Sequence, residues 1–220
     1  MKPKILPALY FIILAVECLA TLTGSTILHF VSKPLLMPVL ALFLFTSVGK
    51  SGRSRMLLLG ALLFSWLGDI VLMLDKVYSS LFIYGLLAFL IAHIFYILYF
   101  LGIRRASEQS QSGITSALII LAYMATFYIY LFPHLGALKI PVLIYATAIS
   151  LMLISSLRAF DFPGHGRISI AGTLIFALSD SILAFNRFVS PFEYAPFLIM
   201  LTYGVAQFLI VEGFCKKAAA

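Results

Sequence analysis

Apolar stretches, each close to the length that crosses a bilayer as a helix, follow one another along the chain. They predict eight transmembrane helices, over roughly 5–23, 34–49, 55–75, 78–101, 114–132, 140–158, 167–187 and 194–214. The second is short and carries Pro38. The breaks hold turn and charged residues, as in "GKSGRSR" (49–55), "RRASEQSQSG" (104–113) and "DFPGHGR" (161–167). None is long enough for a soluble unit, so the pattern reads as a single all-α integral membrane domain over 1–220. The opening stretch, "MKPKILPALYFIILAVECLA", has the look of a signal peptide. No small-x-small cleavage site follows it, further spans come after it, and Glu17 directly before Cys18 speaks against a lipoprotein signal. It is read as the first span.

Composition agrees with the pattern. Of 220 residues, 63% are hydrophobic and only 10% charged, with mean hydropathy +1.11, against about a quarter charged in a soluble domain. The net charge of +7 is explained by lysines and arginines in cytoplasmic loops beside anionic lipid, rather than by nucleic acid. With the N-terminus inside, one face collects Lys2, Lys4, Lys50, Arg53, Arg55, Arg104, Arg105, Arg158, Arg167, Lys216 and Lys217. The other holds Lys33, Lys76, Lys139 and Arg187. Both termini are therefore expected in the cytoplasm, in a multi-pass protein of the cell membrane (the inner membrane in a bacterium). Cys18 and Cys215 fall in the first and last spans at opposite depths, which makes a disulfide between them unexpected. Aligning Asp69 with Asp180 also aligns Leu67 with Leu178 and Leu72 with Leu183, a pattern compatible with a 4+4 parallel repeat.

Ionisable residues inside a bilayer are costly and mark functional positions by default. Three acids qualify: Glu17, Asp69 and Asp180. At about 1.5 Å of rise per residue, each lies roughly 9–10 Å inside the outer boundary, which suggests a polar pocket opening outward. Burial favours a neutral carboxyl and a second carboxylate nearby does so further, so one acid can keep its proton while the other ionises. Asp69 and Asp180 are the candidates for such a pair, and Glu17 reads more readily as a structural anchor. The bland alternative makes each aspartate a hydrogen-bond anchor between helices. Lys33 and Arg187 fall at the outer surface, where they either hold a lipid phosphate or snorkel as interface anchors. Asn186 contacts substrate or caps the helix end. His93 counts out as roughly 20 Å from the outer end, deeper than the acids, with Tyr96 on the next turn. Tyr203 and Gln207 form an i, i+4 polar pair near the pocket floor, where a buried glutamine needs partners. The histidines His29 and His134 are assigned to outer loops and His165 to an inner one, which disfavours a three-histidine zinc site. Nucleophile-elbow, H-E-x-x-H and P-loop patterns do not occur. "WLGD" (66–69) comes near the G-x-G-D of intramembrane aspartyl proteases, but Trp66 stands at the first glycine and Ser179, not tyrosine, precedes Asp180. A carrier built around buried carboxylates, and a scaffold without chemistry, remain alternatives.

The segments "SKPLLMPVL" (32–40), "GDIVLML" (68–74), "FIYGLLAFLIAHIFYILYF" (82–100), "GTLIFALSDSILAFNRF" (172–188) and "YGVAQFLIVEG" (203–213) together resemble the YhhN family of membrane proteins, which includes the lysoplasmalogenases. The resemblance covers nearly the whole chain and implies an eight-helix fold and a lysophospholipid substrate among membrane lipids. The implied reaction is hydrolysis of the vinyl-ether bond to a fatty aldehyde and a glycerophospho-ethanolamine or -choline. It also raises Asp69 and Asp180 as catalytic acids, with Lys33, His93, Asn186, Arg187, Tyr203 and Gln207 as substrate-binding candidates. Such hydrolysis begins with proton transfer to the β-carbon, gives an oxocarbenium ion, and ends in a hemiacetal that collapses. It needs neither metal nor other cofactor. Asp180 is assigned as general acid and Asp69 as stabiliser and base, with the reverse nearly as good. The aliphatic chain would lie between helices, with its phosphate near Lys33 and Arg187.

Overall fold

The computed structural model describes residues 5–47, 52–75, 81–103, 111–159 and 166–219. The loop residues Lys2, Lys4, Lys50, Lys76, Arg104, Arg105 and His165 lie outside them. Eight helices among the described residues are long and apolar enough to cross a membrane. They are α1 (Ile5–Thr23), α2 (Thr26–Ser47), α3 (Gly52–Asp75), α4 (Phe82–Ile103), α5 (Gln111–Leu131), α6 (Lys139–Ala159), α7 (Gly166–Phe188) and α8 (Ala195–Ala219). Two single-turn 3₁₀ helices, Phe132–His134 and Gly136–Leu138, join α5 to α6. The protein is therefore an all-helical, multi-pass membrane protein.

The polarity of the bundle is inverted relative to a water-soluble one. Large apolar side chains such as Ile27 and Ile140 stand more than 70% exposed on the periphery, whereas Glu17, His93 and Gln207 are fully buried. That is the arrangement lipid demands, because a hydrocarbon solvent offers polar groups no partner. Cys18 and Cys215 are both buried, and no disulfide joins them.

The largest departure from the sequence reading is α2. It begins at Thr26 rather than near 34, and both Pro34 and Pro38 lie inside it. A span taken from 34 puts Pro34 in its first turn, a place that suits proline. In the bundle the defect is repaired from outside. Pro38 has no N–H to give the Pro34 carbonyl four residues earlier, and the Trp66 indole Nε1–H donates to that carbonyl at 2.8 Å instead. A two-residue link, Gly24 and Ser25, joins α1 to α2. Gly24 takes φ +68°, and the Ser25 N–H reaches back to the Ala20 carbonyl at 3.0 Å, a glycine-dependent helix stop. So tight a turn presses the last turns of α1 against the first turns of α2. It moves His29 out of a loop and Lys33 off the surface: both are buried residues of α2.

The closest packing is between α7 and α8. A Cβ at Gly172 would stand 2.9 Å from both the Ala206 carbonyl oxygen and the Ile210 nitrogen, and one at Gly213 would stand 2.8 Å from the Ser169 nitrogen. Small residues that let backbones approach are the usual glue of helices in lipid. Gly172→Ala is expected to destabilise the detergent-solubilised protein by about 1–3 kcal/mol, the cost of overpacking against atoms that cannot rotate away. A thermal melt checks this. Gly102→Ala, where a Cβ would meet nothing within 4 Å, should leave the melting temperature unchanged or slightly higher.

Candidate active site

A cavity of about 210 Å³ is lined by side chains from α1, α2, α3, α4, α7 and α8, among them Lys33, Asp69, Asp180 and Tyr203. Two acids more than a hundred residues apart in the chain thus face one space, as the sequence suggested. Their surroundings differ, and the difference decides what each can do.

Asp69 on α3 is 2% exposed. Its Oδ2 accepts the Tyr203 hydroxyl from α8 at 2.7 Å, and its Oδ1 faces the Lys33 ammonium from α2 at 3.7 Å. A carboxylate served by a cation and a phenol is provided for as an anion. Lys33 therefore sits beside an acid, not at the surface with Arg187.

Among the described residues, no lysine or arginine pairs with Asp180 on α7. Its Oδ2 accepts the Tyr145 hydroxyl from α6 at 3.1 Å, and the His93 Nε2 lies 3.6 Å away. His93 is not deeper than the acids, as straight-helix counting had placed it. The α4 helix starts at Phe82, four residues later than expected, which removes about 6 Å of that depth, and the approach to Asp180 puts the two side chains at one level. The His93 Nδ1 bonds the Phe89 carbonyl one turn earlier at 2.7 Å. A carbonyl only accepts, so Nδ1 carries a proton, and in the neutral ring the lone pair is then at Nε2. That Nε2 is buried with no hydrogen-bond partner among the described residues. Tyr145 and Phe176 hold the ring edge-on, with centroids at 5.2 and 4.9 Å. At 3.6 Å the Asp180–His93 approach is a poised contact rather than a formed hydrogen bond.

The remaining candidates divide. Arg187 lines the cavity, with its Nη1 3.2 Å from Asp75 Oδ2 and its guanidinium 4.5 Å from the Phe82 ring centre. Asn186 also lines the cavity, but its Oδ1 accepts the Phe192 backbone N–H at 3.1 Å, which tethers the turn after α7. Gln207 stands one layer back. Its amide donates to Ser65 Oγ at 3.0 Å and its carbonyl accepts the Tyr96 hydroxyl, so both ends are occupied away from the cavity.

Three further residues form a buried cluster that the sequence did not reveal. Glu17 Oε1 lies 2.7 Å from His29 Nδ1, and Glu17 Oε2 accepts the Ser32 hydroxyl at 2.7 Å. His29 lines the cavity with Lys33, and the two are four residues apart on one face of α2. Recognising that face required starting α2 eight residues earlier. Tyr145 gave no signal at all, being one tyrosine among 11 in the chain.

The model of the YhhN family matches residues 28–214. The chain belongs to the YhhN family. Relatives in it include the lysoplasmalogenase of Mycobacterium bovis, 33% identical over 165 residues, or 74% of this chain and 62% of the relative. The lysoplasmalogenase TMEM86B of Mus musculus is 32% identical over 178 residues, and that of Homo sapiens 34%, each match spanning 79% of this chain and 70% of the relative. The YhhN chain described here therefore matches less than two thirds of the mycobacterial relative's length. No solved structure matches it. The family match begins at Leu28, so Glu17 lies outside it while Lys33, Asp69, His93, Asp180, Tyr203 and Gln207 lie within.

Proposed function

We propose that this YhhN protein is a membrane hydrolase that cleaves the vinyl-ether bond of lysoplasmalogens, releasing a fatty aldehyde and glycerophospho-ethanolamine or -choline. The carrying observation is the pair of carboxylates on one cavity with unlike partners, Asp69 beside Lys33 and Asp180 beside the bare Nε2 of His93. The names of the relatives support the same chemistry.

In this reading Asp180 gives its proton to the β-carbon of the vinyl ether. The carbon bearing the oxygen becomes an oxocarbenium ion, which the Asp69 carboxylate stabilises. Asp69 then takes a proton from the attacking water, and a hemiacetal forms. Asp180 withdraws the hemiacetal hydroxyl proton as Asp69 protonates the departing glyceryl oxygen. Both acids return to their starting states, and one water is consumed. Tyr145 holds Asp180 in place with His93 beside it, and Tyr203 and Lys33 hold Asp69. The headgroup phosphate lies toward Arg187, on the non-cytoplasmic side of the cell membrane, with both termini in the cytoplasm.

Purified protein supplied with a lysoplasmalogen should release fatty aldehyde, measured directly. The ester-linked lysophospholipid of the same chain should give neither aldehyde nor fatty acid, because it offers no carbon–carbon double bond to protonate. Ester cleavage at a comparable rate, or no aldehyde from the vinyl ether, would defeat this reading.

A further inference from the structure

A second space adjoins the first. It is a groove of about 450 Å³ between α5, α6 and α7, within the range of about 300–1,000 Å³ that ligand pockets occupy. Asp180 lines both the groove and the polar cavity, so its carboxyl stands at the junction between them. Polar groups on the groove wall have hydrogen-bond partners within the protein. The hydroxyls of Ser150 and Ser181 bond carbonyls of their own helices at 2.9 and 2.7 Å. The Tyr123 hydroxyl closes on Ser181 at 2.8 Å, and that of Tyr145 is given to Asp180. What remains facing the groove is Leu, Ile, Met, Ala and aromatic carbon. Along α7 the lining runs from Phe188 to Leu174, roughly 20 Å at the rise of a helix, of which about 9 Å lies between Asp180 and Leu174. The helix α5 packs mainly on α6 and only lightly on α7, which leaves the groove open along one side apart from the Tyr123–Ser181 bridge.

We propose that this groove receives the aliphatic chain of a single-chain lipid, with its first two carbons at Asp180 and the tail running past Ala177 toward Leu174. The proposal rests on the vinyl-ether reading. In such a lipid the carbon to be protonated is the second carbon of the chain itself. A chain that begins at Asp180 must leave at once into an apolar space, and the cavity holding Asp69, Lys33 and Arg187 is no place for it. The headgroup lies toward Arg187, so the tail extends the opposite way along α7, away from the interface and into the bilayer's depth. The open side admits the chain laterally from lipid, so it need not be threaded end-on.

The test is a chain-length profile. Aldehyde release is measured for lysoplasmalogens of short and long chain, in wild type and in Ala177→Phe, which narrows the groove one helical turn from Asp180. The ratio of long-chain to short-chain kcat/KM should fall by at least about tenfold, the least that a misfitting group costs in an apolar pocket. A second measurement needs no variant. An alkyl-ether lysophospholipid, which lacks the double bond, carries a diazirine in mid-chain and is photolysed with wild-type protein. Labelling should concentrate on the groove faces of α6 and α7 and be competed by unlabelled lysoplasmalogen. An unchanged profile in an active variant, or uniform labelling of lipid-facing helices without competition, means that the groove holds bilayer lipid only and overturns the proposal. Should wild type release no aldehyde at any chain length, the vinyl-ether reading fails, and the labelling alone decides whether the groove takes a chain.

Discussion

Asp180→Asn should cut aldehyde release from lysoplasmalogen by about 10²–10⁴-fold, the range that a positioned proton donor contributes, while the protein still purifies folded. The substitution is nearly isosteric, and the surrounding network tolerates it. The Asn carbonyl can accept the Tyr145 hydroxyl that Asp180 accepts at 3.1 Å. Since Oδ2 faces both Tyr145 and His93, that carbonyl keeps the Tyr145 bond and the new amide N–H₂ takes the place of Oδ1. Only the transferable proton is lost. A melting temperature near that of wild type, together with the loss of turnover, would separate chemistry from structure. Near-normal turnover in Asp180→Asn would remove Asp180 from the mechanism and with it the paired-acid scheme. Asp69→Asn should lose activity too, but not by itself: it leaves the Lys33 ammonium without its counter-charge, so stability falls as well. Unequal stability with equal inactivity is the signature that distinguishes the two acids.

That asymmetry shows where the sequence was legible and where it was not. Apolar run length located the spans, because the bilayer imposes a length on every helix that crosses it. It located α3 and α7 well enough to place Asp69 and Asp180 at one level, and the shared cavity follows from that. It failed at α2, where proline was read as a boundary. The rule that breaks helices in water is relaxed when a neighbour such as Trp66 satisfies the freed carbonyl. The error spread: with α2 begun late, Lys33 became a surface anchor and His29 a loop residue, and the Glu17–His29–Ser32 cluster could not be seen. His93 was misplaced by a helix start only four residues off, about 6 Å of depth. Partners such as Tyr145 were beyond reach for a different reason. A hydroxyl on a membrane helix costs little to place, so its presence carries no information until the helix facing it is known.

Lys33→Met should destabilise the protein by about 3–5 kcal/mol, the cost of stripping one partner from a buried ion pair. Lys33 and Asp69 lie 3.7 Å apart, each side chain little exposed, and the Tyr203 hydroxyl is the one hydrogen bond given to that carboxylate among the described side chains. A phenol cannot neutralise a charge, so in Lys33→Met the acid must either stay ionised in an apolar surround or take up a proton. Either way folding bears the cost. Asp69→Asn strands the ammonium in the same manner. Combining the two removes both charges, and Met and Asn of similar size occupy the space. The double variant should therefore be more stable than either single one, a coupling that denaturant unfolding in detergent reads directly. Additive losses would mean that the two groups do not sense each other and that something else compensates each charge. Activity should not follow stability. The double variant lacks the carboxylate that shields the oxocarbenium ion and accepts the water proton, so it should fold well and release no aldehyde. A protein that regains its fold without its chemistry is what a built active site predicts, and it is not what a purely structural ion pair would give.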